Sequence, residues 1–197
     1  MSQDRIVAHF QSSLAGLTKA VQSHELLATT HAIAQAVTNA LRAGNKLLLI
    51  GNGGSAADAQ HIAAEIVGRY KQERPGWAAI ALTTDTSALT AIANDYGFEQ
   101  IFARQVQGLA KRGDVLFALT TSGHSPNILA ALKVARDLGV TTVGFTGTKG
   151  ESLRAACDHL FVSPTDDTPV VQQIHMMAMH AICDEVEHTL TGAPKTA

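Results

Sequence analysis

Cysteine is nearly missing from this chain. Cys157 and Cys183 are the only two, and they form neither a CxxC pair nor the framework of a disulfide-stapled domain. Both lie in segments with helical patterning and are expected as reduced, small core residues. Charge is also scarce. Lys, Arg, Asp and Glu make up 16% of the 197 residues, the formal net charge is -2 and the isoelectric point is near 6.5. That balance withholds the broad positive field used to bind nucleic acid or an anionic membrane surface, so neither partner is expected, although a local basic pocket is still allowed. No apolar run reaches the roughly 18 residues that span a bilayer, and Met1-Ser2-Gln3-Asp4-Arg5 leads into no apolar signal core. A cytoplasmic location is therefore expected. Proline is rare, 5 residues against 16 glycines, and 46% of the chain is hydrophobic, which suits a compact fold rather than a disordered or fibrous one. The length fits one domain over residues 1–197.

What is present is organised as repeated strand, loop and helix. Val7, Phe10, Leu14, Leu17 and Val21 recur at steps of three and four, the mark of a helix with one apolar stripe that has to be buried somewhere. A second helix is expected after Thr29 and Thr30, using Ile33, Val37 and Leu41 and ending at Gly44. Residues 1–44 thus form a helical arm. Lys46 to Ile50 is a short apolar run that ends in Gly51-Asn52-Gly53-Gly54-Ser55, after which helical periodicity runs through Ile62, Ile66 and Tyr70. The plan repeats at Val115 to Leu119, followed by Thr120-Thr121-Ser122-Gly123-His124-Ser125-Pro126-Asn127 and another helix. Further strands are expected at Ala78 to Leu82, Thr141 to Phe145 and His159 to Val162. Helical stretches are expected at Ala88 to Ala93, Ile101 to Ala110 and Ser152 to Ala156. A long final helix runs from near Pro169 to Gly192, with Ala193 to Ala197 as a frayed tail. Five strands alternating with helices imply an α/β fold, a parallel sheet covered on both faces.

In such a sheet, loops leaving the carboxyl ends of strands line the ligand crevice, and the following helix N-termini favour anions. Phosphate is the natural guest. The loop Thr120 to Ser125 offers several hydroxyls just before a helix, which suits either a phosphate cradle or a plain turn with an N-cap. Gly51 to Ser55 lets the backbone approach a ligand but has neither the GxGxxG nor the GxxxxGK[ST] spacing, so neither NAD nor ATP is indicated. His61 and Glu65, four apart, share a helix face and suit metal binding, proton transfer or an ordinary solvated pair. Gln172 and His180 are eight apart, about 12 Å of rise and roughly 80° of rotation. They can share one ion with His61 only if long side chains converge or different subunits contribute. Asn94-Asp95-Tyr96-Gly97 fits a turn between two helices or a hydrogen-bonding group for sugar hydroxyls. His124 sits inside the hydroxyl loop, where it could touch a substrate.

Taken together, Gly51 to Ser55 with Asp58, His61 and Glu65, then Arg74-Pro75-Gly76, Asn94-Asp95, Thr121-Ser122-Gly123 with Ser125, and Gln172 with His180 resemble the sugar isomerase (SIS) domain family. Within it they resemble the phosphoheptose isomerase family, which interconverts sedoheptulose 7-phosphate and D-glycero-D-manno-heptose 7-phosphate. The resemblance covers nearly the whole chain. It implies a flavodoxin-like three-layer sandwich with a five-stranded parallel sheet, a homotetramer packed through the terminal helices, and active sites where subunits meet. It further implies substrate contacts from Asn52, Gly53, Gly54, Ser55, Glu65, Asn94, Asp95, Thr120, Thr121, Ser122, Ser125 and Gln172. Zinc would be held by His61, Glu65, Gln172 and His180, and Glu65 and His180 would be the acid and base of an enediol isomerisation. Thr120 stands where family members often carry serine, which keeps the hydroxyl and adds a methyl. Two other readings use the same fold: a non-catalytic tetramer that binds a protein partner, and a sugar-phosphate-sensing regulatory domain. Relatives of the first kind lack the acid matching Glu65. No helix-turn-helix accompanies the short arm to support the second.

Overall fold

The computed structural model describes residues 2–192; the expected tail at 193–197 lies outside them. Five strands form one parallel sheet in the order β2-β1-β3-β4-β5. They are β1 (Leu47–Gly51), β2 (Ala79–Ala81), β3 (Val115–Leu119), β4 (Thr141–Thr146) and β5 (His159–Val162). β1 and β3 are buried at every position, which is why they read as continuous apolar runs rather than alternating ones. Alternate residues face opposite layers. Leu47, Leu49, Phe117 and Phe145 pack under α1 (Ser2–Gln22), α2 (His24–Arg42), α3 (Gly54–Val67) and α7 (Thr168–Thr191). Leu48, Ile50, Leu116 and Ala118 pack under α4 (Thr86–Tyr96), α5 (Ile101–Leu109) and α6 (Pro126–Asp137). The three-layer α/β sandwich is the fold expected from the sequence.

The chain leaves β1 toward β2 on one side and returns to β3 on the other, so the order of strands reverses between β1 and β3. Gly51 ends β1 directly beside Leu119 at the end of β3. The two glycine- and hydroxyl-bearing loops therefore emerge side by side at the topological switch point, where open parallel sheets bind ligands.

Several local expectations are corrected. α2 starts at His24, because the Ser23 hydroxyl accepts from the Leu26 N–H at 3.3 Å. Thr30, which resembled a start signal, lies inside the helix and bonds back to the Leu26 carbonyl, an arrangement threonine tolerates. α3 stops at Val67, so Tyr70 lies beyond it. Ser152 to Ala156 belong to a 3-10 stretch, Thr148–Ala156. Asn94, Asp95 and Tyr96 form the last turn of α4, which closes at Gly97 with φ +90°. Cys157 follows the 3-10 stretch in extended backbone, while Cys183 is buried in α7; both are free. Burial pushes each thiol up to about 12, so neither is a nucleophile at neutral pH.

His175 of α7 is fully buried against Phe145 and Phe161. Its Nε2 lies 3.2 Å from the Thr146 carbonyl, which can only accept, so Nε2 carries the hydrogen and Nδ1 is left bare and unpartnered. Burial, only partly opposed by the Thr146 contact, pulls its pKa from 6.5 to about 4. The sign follows from linkage: below pH 6.5 the unfolded chain takes up a proton that the fold refuses. Stability should fall from there down to pH 4, by about 3 kcal/mol in all. In urea titrations, His175→Gln should flatten that fall by about one proton; an unchanged slope contradicts the assignment.

Candidate active site

The β3 loop is built around Thr120, which is buried at the strand end. Its Oγ1 accepts from the Gly123 N–H at 3.1 Å and lies 3.3 Å from the Ser125 hydroxyl. Ser125 occupies the N-cap position of α6 yet makes no capping bond, so the plain N-cap reading does not hold for its hydroxyl. The loop turns at Gly123, φ +72°, where a Cβ would run into the Cα of Gly150. Only glycine allows that approach. The Thr121 carbonyl accepts from Gly147 N–H at 3.1 Å, Ser122 is exposed, and His124 folds back on the Ser122 carbonyl. The N-terminus of α6 faces the same side, adding its partial positive charge.

The β1 loop is tied to this one by a pair of amides. Asn52 Nδ2 donates to Asn127 Oδ1 at 3.0 Å, and Asn127 Nδ2 donates to Asn52 Oδ1 at 2.8 Å. Asn127 is buried on the first turn of α6. No sequence signal singled it out, because its partner is 75 residues away. Ser55 is buried one residue into α3.

α3 and α7 pack side by side and run in the same direction. Gly54 meets the Gln172 carboxamide so closely that a Cβ there would lie 2.5 Å from Nε2. Further along, His61 Nε2 lies 3.2 Å from His180 Nε2 and 3.1 Å from Glu65 Oε1. Seven residues on one helix thus match eight on the other. His61, Glu65 and His180 offer donor atoms within 4.8 Å of one another, a group placed to hold a metal ion. Two imidazole nitrogens this close need either a proton between them or a shared cation. Asp58, one turn before His61, has a buried oxygen with no partner, and burial pushes its pKa up against the opposing pull of His61.

The sequence-derived residues therefore fall into three linked places: Thr120, Thr121, Ser122 and Ser125 on the β3 loop; Asn52, Gly53, Gly54, Ser55 and Gln172 at the start of α3; and His61, Glu65 and His180 further along. Asn94 and Asp95 stand apart. Both are exposed on α4, and Asn94 Nδ2 donates to Asp95 Oδ1 at 2.8 Å. Arg74, of the Arg74-Pro75-Gly76 motif, braces the far end of the α3/α7 seam together with Tyr70 and Glu187, two residues that no sequence motif singles out.

The SIS domain family matches residues 9–147. A phosphoheptose isomerase of a Bradyrhizobium sp. is 60% identical over 189 residues, covering 96% of each chain. The solved phosphoheptose isomerase of Neisseria gonorrhoeae is 40% identical and superposes with a TM-score of 0.89, over 95% of this chain and 99% of the other. That of Francisella tularensis is 35% identical with a TM-score of 0.90 at the same coverage. With sequence and fold agreeing over almost its full length, the chain belongs to the SIS domain family and, within it, to the phosphoheptose isomerases.

Proposed function

We propose that the protein converts sedoheptulose 7-phosphate to D-glycero-D-manno-heptose 7-phosphate through an enediol. The observation that carries this reading is the meeting of Glu65 and His180, from separate helices, within 4.8 Å, on the same two helices whose first residues lie at the switch point. Thr120, Thr121, Ser122 and Ser125, with the first amides of α6, hold the phosphate. Asn52 to Ser55 and Gln172 hold the sugar chain. Glu65 takes the proton from C1 while His180 gives one to the carbonyl oxygen on C2. His180 then receives the proton of the C1 hydroxyl, and Glu65 returns its own to C2. Mass and charge balance, and no other reactant is consumed.

Zinc is the proposed ion. Two of the three donor separations, 3.1 and 3.2 Å, compare with about 3.3 Å for the edge of a tetrahedron whose ligands lie 2.0–2.1 Å from zinc, and the third lies within 4.8 Å. The nitrogen and carboxylate donors suit it too. When bound, zinc supplies positive charge that polarises a carbonyl. Gln172 is the proposed fourth ligand. Its amide rests on Gly54, about 10 Å of helix before His61, so it joins the others by leaving that contact or from a neighbouring subunit. Aldose formation from sedoheptulose 7-phosphate is expected, with loss on chelation and recovery on adding zinc. Absence of any aldose sinks the reading.

The assembly is proposed to be a homotetramer using residues 1–44, in the cytoplasm; among the described residues no helix is long and apolar enough to cross a membrane. On α1 the side chains of Ile6, Val7, Phe10, Leu14 and Val21 are between 49 and 71% exposed, a contiguous apolar stripe of the kind that marks an interface. Asn94 and Asp95 are proposed to complete the sugar site once subunits assemble. The double change Phe10→Asp with Leu14→Asp should lower the mass seen by light scattering from four subunits to one or two. An unchanged tetramer contradicts the arm's role.

A further inference from the structure

Tyr70 lies in the irregular segment after α3, and that segment is tied to α7 by hydrogen bonds. The backbone N–H groups of Tyr70, Lys71 and Gln72 donate to the Glu187 carboxylate at 3.0, 2.6 and 2.9 Å. Arg74 Nε adds a fourth bond at 2.9 Å, with both side chains of this ion pair almost fully buried. The Arg74 guanidinium also donates to the carbonyls of Glu65, Ile66, Gly68 and Pro75, closing the end of α3, and it lies 3.7 Å over the Trp77 ring.

The consequence of this clamp is the placement of one aromatic ring. Tyr70 stacks on the His180 imidazole with centroids 5.6 Å apart and planes inclined by 29°. His61 meets the same imidazole edge-on. Histidines in metal or acid-base sites are usually oriented by a hydrogen bond to the second ring nitrogen, but among the described residues no protein group bonds His180 Nδ1. His61 restrains the ring at its edge and at Nε2, and Tyr70 is the aromatic ring stacked on its face.

We propose that Tyr70 is a positioning residue for the isomerisation: its ring, fixed by Glu187 and Arg74, holds His180 with Nε2 aimed at His61 and Glu65. This rests on the role given to His180 under the proposed function, and it assigns Tyr70 no contact with substrate. The ring matters and its hydroxyl does not.

The test compares wild type with Tyr70→Phe, Tyr70→Leu, Tyr70→Ala and His180→Asn. Turnover of sedoheptulose 7-phosphate is measured together with 13C–1H spectra of the histidine rings, where His180→Asn assigns the signal. Tyr70→Phe should keep kcat within about twofold, whereas Tyr70→Ala and Tyr70→Leu should lose about tenfold or more, the lower end of effects from removing an orienting partner. KM should stay nearly constant because the phosphate and sugar loops are untouched, and the His180 signal should broaden only where the ring is lost. Equal kcat in Tyr70→Leu and Tyr70→Phe overturns the proposal, as does an unchanged His180 signal in Tyr70→Ala. If Tyr70→Ala fails to fold, the Leu and Phe variants decide alone. Normal turnover in His180→Asn would instead defeat the role of His180, and the ring spectra, which need no substrate, would still judge Tyr70.

Discussion

Glu65→Gln is expected to lower kcat by about 1,000-fold, within the range that a positioned general base contributes, with little change in KM. Glutamine keeps the size and shape of the side chain but cannot hold a proton at neutral pH. The side chain is half-buried at the end of α3, and His61 is its one ion-pair partner among the described residues, so the substitution should leave thermal stability nearly unchanged. Because Glu65 is proposed both as base and as ligand, metal content should be measured on the same sample. Retained metal with lost turnover identifies the base, and a parallel loss of metal identifies the ligand. Normal turnover contradicts both roles. Exchange of solvent deuterium into C1 of the substrate gives an independent reading, since it reports removal of the proton even when the second half of the reaction is slow.

Glu187→Ala should destabilise the fold by about 3–5 kcal/mol, the usual cost of breaking a buried ion pair from one side. The pair has side-chain exposures of 3% and 2%, so the Arg74 charge would be left in the interior, and three backbone N–H groups would lose their acceptor. At this chain length such a loss lowers Tm by roughly 6–20 °C. By contrast, the exposed pair Lys149 and Asp166 should contribute about 1 kcal/mol or less. Burial alone would raise the pKa of Glu187, but the three N–H donors and Arg74 outweigh it and hold it below the usual 4.5. Its stabilising effect is therefore present above pH 4.5 and lost as pH falls through the lower, folded-state value. Calorimetry of the variant at pH 7 checks the magnitude; a change below about 1 kcal/mol contradicts the account.

The parts of this architecture that were legible in the sequence are those governed by near neighbours. β1 and β3 stood out because strands buried on both faces are continuous apolar runs bounded by glycine or hydroxyl residues. α7 was readable from Pro169 to Gly192 for the same local reasons. α2 was placed too late because Thr29 and Thr30 resembled a cap, whereas Ser23 takes that position and threonine can sit inside a helix. Tyr70 fitted a helical spacing but follows a helix already closed by Arg74. The site was legible as separate motifs but not as a seam: the eight-residue step from Gln172 to His180 has its match in the seven-residue step from Gly54 to His61, which shows only once α3 is placed alongside α7. Glu187 binds backbone groups more than a hundred residues away, and periodicity shows which face of a helix is special without showing what lies on it.

The reciprocal amide bonds of Asn52 and Asn127 carry a consequence for descent. An amide that both gives and receives is matched by few other side chains, and changing either one alone strands a donor and an acceptor on its mate, at about 1–3 kcal/mol. Drift at one position must therefore wait for, or quickly be followed by, change at the other. Two codons 75 positions apart are thereby tied to each other, and with them the two loops proposed to hold the phosphate and the sugar.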